Sequence, residues 1–380
     1  MTDAYIVDAV RTPTGRRGKG LSDIHPADLL GTVFTALFDR TGVDPAHVDD
    51  VIAGCVAQMG AQAWNVGRNA WLSAGLPEHV PAVTIDRQCG SSQQAVHFAA
   101  QAIKAGDQDL VVAGGVEVMS QVPLNSSGDP GLGFGYPFGG PGWEKRYGDQ
   151  EIHQFRGGDL IAERWGIDRE EMFRFALDSH ARAARAQDEG RFADQLVPVA
   201  GVTADEGVRR DSDIDKMRSL APIRPDGIHN AALASQIADG AAALLVASER
   251  AVERFGLTPL ARVHTTAVVG SDPVLILTGP IPATRKALEK ASLSPEEIDL
   301  YECNEAFAAV VLAWAKELGI DTGRVNVNGG AMALGHPLGA SGARLMTTLV
   351  HELVRTDARY GLQTMCEGGG LANATILERV

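Results

Sequence analysis

The stretch AVTIDRQCGSSQQAVHFAAQAIKAGDQDLVVAGG, residues 82–115, decides the fold class. Ala82–Asp86 reads as a short strand that enters the turn Arg87-Gln88-Cys89-Gly90. Ser91–Ala105 then has helical spacing and stops at Gly106. Asp109–Val112 returns as a strand ending at Gly114-Gly115. The same alternation extends outward. Ala4–Val10 and Val51–Ala57 read as strands, and Pro26–Asp39 and Asn65–Ala74 as helices, the latter closed by Gly75 and Pro77. Strands alternating with helices imply an α/β domain with a mostly parallel sheet.

A second stretch, residues 335–370, repeats this order of parts. Gly335-His336-Pro337-Leu338-Gly339 opens a helix over Ala340–Arg355, and a strand, Leu362–Met365, runs into Cys366-Glu367-Gly368-Gly369-Gly370. This suggests an internal duplication with diverged sequence. A two-fold arrangement would bring Cys89 and His336 to equivalent helix N-termini, facing each other. Between the halves the pattern changes. Residues 121–147 are rich in Gly, Pro, Ser and aromatics and read as irregular. Residues 151–190 hold two helical patterns. A basic cluster follows at Arg209, Arg210, Lys216, Arg218 and Arg224, and a buried-strand pattern returns at Ala241–Ala247. The expected partition is 1–120 plus 241–260, an insertion over 121–240, and 261–380.

Composition narrows the class. A chain of 380 residues exceeds the usual limit for one core. Its 45% hydrophobic and 22% charged residues are ordinary for a globular protein. A formal charge of −14 repels phosphate backbones, so nucleic acid is not an expected partner, although a local basic patch can still hold a small anion. No apolar run approaches the roughly 18–20 residues needed to span a bilayer, so no membrane insertion is expected. The first residues lack the pattern of a signal peptide. Cys55, Cys89, Cys303 and Cys366 are too sparse for a disulfide framework and form no C-x-x-C pair. Reduced thiols in a cytoplasmic setting are the expectation.

Four places in the chain make chemistry possible. Cys89 lies between a strand and a helix, where the macrodipole can lower a thiol pKa and nearby N–H groups can hold an oxyanion. A buried structural cysteine is the alternative. His336, at the second turn-to-helix junction, can act as base for a nearby thiol or simply cap the helix. Cys366 closes a strand before three glycines, a setting that suits proton transfer or a plain core position. Asn304-Glu305 reads either as a helix cap or as a polar pair aimed into a cleft. The glycines near His336 lack the G-x-x-x-x-G-K-[ST] pattern of a phosphate loop.

Taken together, these motifs resemble the thiolases, over essentially the whole chain. Gln88-Cys89-Gly90-Ser91 is similar to that family's nucleophile site. Asn304–Ala308 resembles its water-positioning motif, Gly329–Arg344 its histidine block, and Cys366–Gly370 its C-x-G-G-G. The resemblance implies two duplicated α/β halves in a five-layer αβαβα sandwich, with an inserted loop domain. It implies acyl transfer between Cys89 and coenzyme A: Cys89 as nucleophile, His336 as base and oxyanion donor, Cys366 as acid and base, Asn304 positioning a water, and Gly368 offering a backbone N–H. CoA would be a substrate, with no other cofactor and no metal. Ser235, His153, Arg209, Lys216 and Phe307 are the implied substrate and CoA contacts. A homodimer or homotetramer is expected.

The chain departs from the family at Gln154, where Met is common, at Asn230-Ala231-Ala232-Leu233, and at Leu371. With Arg87–Gln94 and the C-E-G-G-G-x-A-N ending, it looks most like actinobacterial thiolases, some of which act on steroid-derived CoA esters. The expected reaction is thiolytic cleavage of a 3-ketoacyl-CoA, with condensation of two acetyl-CoA as the reverse alternative. A decarboxylating ketosynthase would need a second active-site His or a His/Asn pair. A non-catalytic lipid-binding relative would be expected to lose one of Cys89, His336 or Cys366.

Overall fold

The computed structural model describes residues 2–380. The first half begins with β1 (Ala4–Arg11), the two-residue β2 (Gly15–Arg16) and α1 (Pro26–Thr41). Helix α1 starts where His25 accepts from Ala27 N–H with Pro26 in the first turn, and stops at Gly42, whose φ of 70° suits a residue without Cβ. Next come β3 (Asp50–Gly54), α2 (Val66–Ser73), β4 (Ala82–Ile85), α3 (Ser91–Ala105) and β5 (Leu110–Val118). Between β5 and β6 (Ala238–Ser248) the chain forms α4 (Pro141–Tyr147), α5 (Gln154–Trp165), α6 (Arg169–Asp188) and α7 (Ile214–Ser219). The second half runs α8 (Glu249–Phe255), β7 (Ala261–Gly270), α9 (Pro280–Ala291), β8 (Leu300–Cys303), α10 (Ala308–Leu318), α11 (Ala331–Leu334), α12 (Leu338–Thr356), β9 (Tyr360–Glu367) and β10 (Leu371–Arg379).

The strands follow the order β4-β3-β5-β6-β1-β7-β10-β9-β8, with β2 on β6. The order is its own mirror about the β1–β7 contact, where only Tyr5 and Ile6 pair with Arg262 and Ala261. On each side a parallel pair, β3–β5 or β8–β9, continues into antiparallel neighbours, β6 and β1 or β10 and β7. The place of β4 is held in the second half by a single parallel bridge, Tyr301 to Val325. Even small details repeat. Asp49 Oδ2 accepts from Asp109 and Leu110 N–H, and Asp299 Oδ2 accepts from Arg359 and Tyr360 N–H. This is the duplicated thiolase-like sandwich: α1 and α2 cover one outer face, α9 and α10 the other, and α3 with α12 fills the layer between.

That middle layer is where the site is set. Its apolar side chains include Val96 and Ile103 of α3 and Met346, Leu349 and Val350 of α12, packed on Ile6, Val111 and Leu244. Burial of each such side chain is worth about 1.5–3 kcal/mol. The first turns of α3 and α12 touch: Ala343 N–H donates to Ser92 Oγ at 2.8 Å, and a Cβ on Gly342 would overlap the backbone of Gln93.

Several expected boundaries move. The strand expected to end at Gly114-Gly115 runs through them to Val118. The glycines are there because a Cβ on Gly115 would collide with the carbonyl of Gly339, and one on Gly114 with that of Ala242. The strand expected over Val51–Ala57 stops at Gly54, after which the N–H groups of Val56 and Ala57 turn to the Glu117 carboxylate at 2.9 and 3.1 Å. The irregular 121–147 segment contains the short helix α4. Strand β8 starts only at Leu300, because Pro295–Glu297 forms a 3-10 turn closed by Ile298.

Candidate active site

Cys89 sits on a tight elbow between β4 and α3. Asp86 Oδ1 accepts from Gln88 N–H at 2.6 Å, and Gln88 takes a left-handed φ of 49°. Ser91 Oγ donates to Gln88 O at 2.6 Å and accepts from Arg87 N–H at 2.9 Å, which locks the turn from the helix side. The dipole was expected to lower the thiol pKa. It is instead pushed up to about 12, first by burial, then by the nearby Glu367, Glu117 and Asp86 carboxyls. Lost solvation and converging negative groups outweigh the helix end. The resting nucleophile is therefore a thiol, and a base must take its proton.

His336 is 4% exposed and precedes α12. Its N–H donates to Gln236 O at 2.9 Å. The Ser341 hydroxyl donates to Pro337 O at 2.8 Å, so it must accept from His336 Nδ1–H, 2.5 Å away. The tautomer assigned by this network leaves a lone pair on Nε2. Asn304 Nδ2 donates to that atom at 3.3 Å. Burial, then Arg344, pushes the imidazole pKa down to about 3, so it is neutral. Asn304 Oδ1 is buried and has no partner among the described residues. An acceptor placed this way suits a bound water.

Cys366 is fully buried on β9, and its thiol is raised well above the usual value by burial, then by Cys89 and Glu367. Gly368 lies against Gln88, whose Oε1 would be 2.7 Å from a Cβ placed there. So the elbow, the His336 loop and the β9 end converge from three distant segments.

Glu305 does not share the cleft with Asn304, as one reading of the pair had it. It accepts from Ser179 Oγ at 2.7 Å, Met332 N–H at 3.0 Å and Asn326 Nδ2 at 2.9 Å, and so ties α6 to the loop before His336. Glu117 does similar work on the other side, accepting from Gly339 N–H at 2.9 Å, Gln62 Nε2 at 2.7 Å and the 56–57 backbone. A carboxylate inside a buried strand was the available signal for Glu117.

The expected CoA contacts fall into two groups. Arg209 and Lys216 line a cavity of about 240 Å³ with His180, Met217, Gln236 and Met332. Gln236 links this cavity to His336 through its carbonyl. The basic cluster is largely neutralised. Arg210 pairs with Asp188, Lys216 with Asp213, Arg218 with Glu170 and Asp215, and Arg224 with Glu151. The second group is aromatic. His153 caps α5 and stacks on Phe155 at 5.4 Å, and Phe155 meets Phe307 edge-on at 5.0 Å. Phe307 is buried in the cluster that holds Met332 and Cys366, rather than lining an open surface. Half-buried Ser235 is hydrogen-bonded to this segment, its N–H donating to Ala306 O at 2.9 Å. His229, which no motif singled out, packs on Phe307 at 5.3 Å and is held by Asp159 at 2.7 Å.

Residues 4–250 match the family model of the thiolase N-terminal domain, and residues 257–379 that of the thiolase C-terminal domain. The chain belongs to the thiolase family. It is 55% identical over its full length to the steroid 3-ketoacyl-CoA thiolase FadA6 of Mycobacterium tuberculosis, covering 95% of that protein. It is 44% identical to the 3-oxoadipyl-CoA/3-oxo-5,6-dehydrosuberyl-CoA thiolase of Escherichia coli, with both chains covered in full. The crystal structure of the Bacillus anthracis acetyl-CoA acetyltransferase superposes with a TM-score of 0.89 at 38% identity, over 100% of this thiolase and 99% of that one. The thiolase is thus an acyltransferase, and a site with two thiols, one neutral imidazole and an unpartnered amide oxygen has the groups such a transfer needs. Among the described residues no helix is long and apolar enough to cross a membrane.

Proposed function

We propose that this thiolase cleaves 3-ketoacyl-CoA esters by thiolysis, through an acyl group carried on Cys89. The observation that supports it best is the Asn304–His336–Ser341 chain, which leaves a lone pair on His336 Nε2, alongside the electrostatic pairing of Cys89 with Cys366. His336 Nε2 takes the Cys89 proton, and the thiolate attacks the 3-keto carbon. The resulting oxyanion is held by the new Nε2–H and by a water on Asn304 Oδ1. The C2–C3 bond then breaks; its electron pair leaves as an acetyl-CoA enolate, and Cys366 protonates the carbon. Cys366, now a thiolate, takes the proton of an incoming CoA thiol. The CoA sulfur attacks the acyl-cysteine, with the oxyanion near the Gly368 backbone, and Cys89 leaves and regains its proton from His336. Cys89 and Cys366 both end protonated, the proton of the CoA thiol having replaced the one Cys366 gave to the acetyl-CoA carbon, and no step changes an oxidation state, so the cycle needs no redox cofactor.

CoA reaches the site over the inserted 121–240 segment, with Arg209 and Lys216 at its phosphates and Ser235 and His153 along the arm and acyl group. The 55% identity with a relative named for steroid substrates favours a bulky, ring-bearing acyl group. The partners are acyl-CoA, CoA and a second copy of the chain, in a reducing cytoplasm suited to four free cysteines.

The test is CoA-dependent cleavage of acetoacetyl-CoA and of a ring-bearing 3-ketoacyl-CoA by the wild type and Cys89→Ala. Acetyl-CoA release by the wild type alone is expected, faster with the bulky substrate. Equal activity in the variant, or none on either substrate, would contradict the proposal.

A further inference from the structure

Glu367 is a buried acid beside the nucleophile that the cycle above does not use. It lies on β9 opposite Leu371, while Asn373 on β10 is opposite Met365. Strand alternation puts Glu367 and Asn373 on one face and Cys366 on the other. Asn373 Nδ2 donates to Gln94 Oε1 of α3 at 3.2 Å, so that face is turned to the helix that follows Cys89. A Cβ on Gly90 would overlap both Glu367 Oε1 and Asn373 Oδ1. The two oxygens therefore meet under the elbow, against the residue next to Cys89. Both carboxyl oxygens and the amide oxygen are buried without a partner among the described residues. Two acceptors in such proximity repel unless a proton lies between them.

We propose that Glu367 is a positioning residue for Cys89: a neutral carboxylic acid whose O–H donates to Asn373 Oδ1, seating Gly90 and keeping negative charge away from the thiol. The inference rests on Cys89 being the reactive thiol. The charged and titratable groups around Glu367 are Arg87 and Asp86 of the elbow and the thiols of Cys89 and Cys366. Burial pushes the Glu367 carboxyl up to about 9, against the pull of Arg87 and of the nearby Asn373 N–H, which lies outside hydrogen-bond geometry. Below that pH it is neutral. Above it, its charge opposes thiolate formation at Cys89, so acid and thiol titrate against each other.

The experiment is the pH dependence of Cys89 alkylation by iodoacetamide, read on the Cys89 peptide by mass spectrometry. It needs no substrate, so it stands apart from the acyl-transfer test. Glu367→Gln keeps a donor for Asn373 but cannot ionise, and its profile should lie on the order of one pH unit below that of the wild type. Glu367→Ile, which also removes the charge, should shift the same way and serves if the first variant fails to fold by circular dichroism. In the wild type alone, the profile should be shallower than a single titration. A wild-type profile that follows a simple single titration above those of the variants would mean that Glu367 is ionised throughout, and superimposed profiles would mean that its charge does not act on Cys89; either result would overturn the proposal.

Discussion

Ser341 has one hydroxyl proton, and it goes to Pro337 O; the imidazole of His336 must supply the other hydrogen bond. Ser341→Ala removes that anchor. A neutral hydrogen bond is worth about 1 kcal/mol, so kcat for thiolysis should fall about fivefold while KM for CoA stays put, measured by steady-state kinetics. At this scale the sequence was legible where residues came in motifs. Cys89, His336, Cys366 and Asn304 could each be picked out, and the fold brings their segments together. Ser341, Gln236 and His229 could not, because each matters through a partner distant in sequence or through a geometry no motif encodes; Glu305 was picked out with Asn304 but turns to Ser179 of α6. The sign of the Cys89 shift was missed because burial, which sets it first, and the approach of Glu367, Glu117 and Asp86 from three segments appear only in the folded chain.

Among elements, the approach of α12 to the sheet is the tightest feature around the site. Gly54, Gly115 and Gly339 crowd together where the helix begins, three residues after His336. Gly115→Ala would drive a Cβ into the Gly339 carbonyl, and backbone has little freedom to retreat. A cost of about 1–3 kcal/mol is expected, seen as a lowered Tm, with activity reduced because the His336 loop moves with the helix. Glycines inside β5 read in sequence as the end of a strand, since a turn is their commonest use. Only the packing of a second element on that strand explains them. The helices α3 and α12 were read nearly to their ends, because their apolar periodicity is long; α3 stops at Gly106, and α12 at Asp357 in the left-handed conformation.

At the scale of the molecule, pH acts on groups buried far from water. His97 and His336 are pushed down to about 3 and His180 to about 4, each first by burial. The unfolded chain binds protons at these rings below about pH 6.5, while the folded chain does not, so acidification from about 6.5 to 3 removes stability. Glu302 and Glu367 are raised to about 8 and 9, mainly by burial. They ionise in the unfolded chain above about 4.5 but not in the folded one, so stability also falls as pH rises toward 9. Differential scanning fluorimetry should therefore show a highest Tm near pH 5–6.5, and Glu302→Gln should flatten the alkaline side.

Assembly belongs to this scale too. β4 ends the sheet order and pairs only with β3, and Val83 on it is 42% exposed. An apolar sheet edge is a template for a second copy. A contact between copies along this edge predicts that Val83→Lys lowers the mass found by light scattering relative to the wild type; an unchanged mass would rule this edge out. The duplication was readable from the repeated order of parts. The paired Asp49 and Asp299 caps that mark it most finely were not, because an aspartate before a strand is ordinary until its bonds are seen.

The central claim is that Cys89 carries the acyl group. The direct measurement is the mass of the Cys89 and Cys366 peptides after rapid acid quench of the enzyme with acetoacetyl-CoA and no free CoA. An acetyl group on the Cys89 peptide, lost on adding CoA and absent from Cys89→Ala, is the predicted result. An acetyl group on Cys366 instead, or turnover with no acyl-enzyme, would contradict the account.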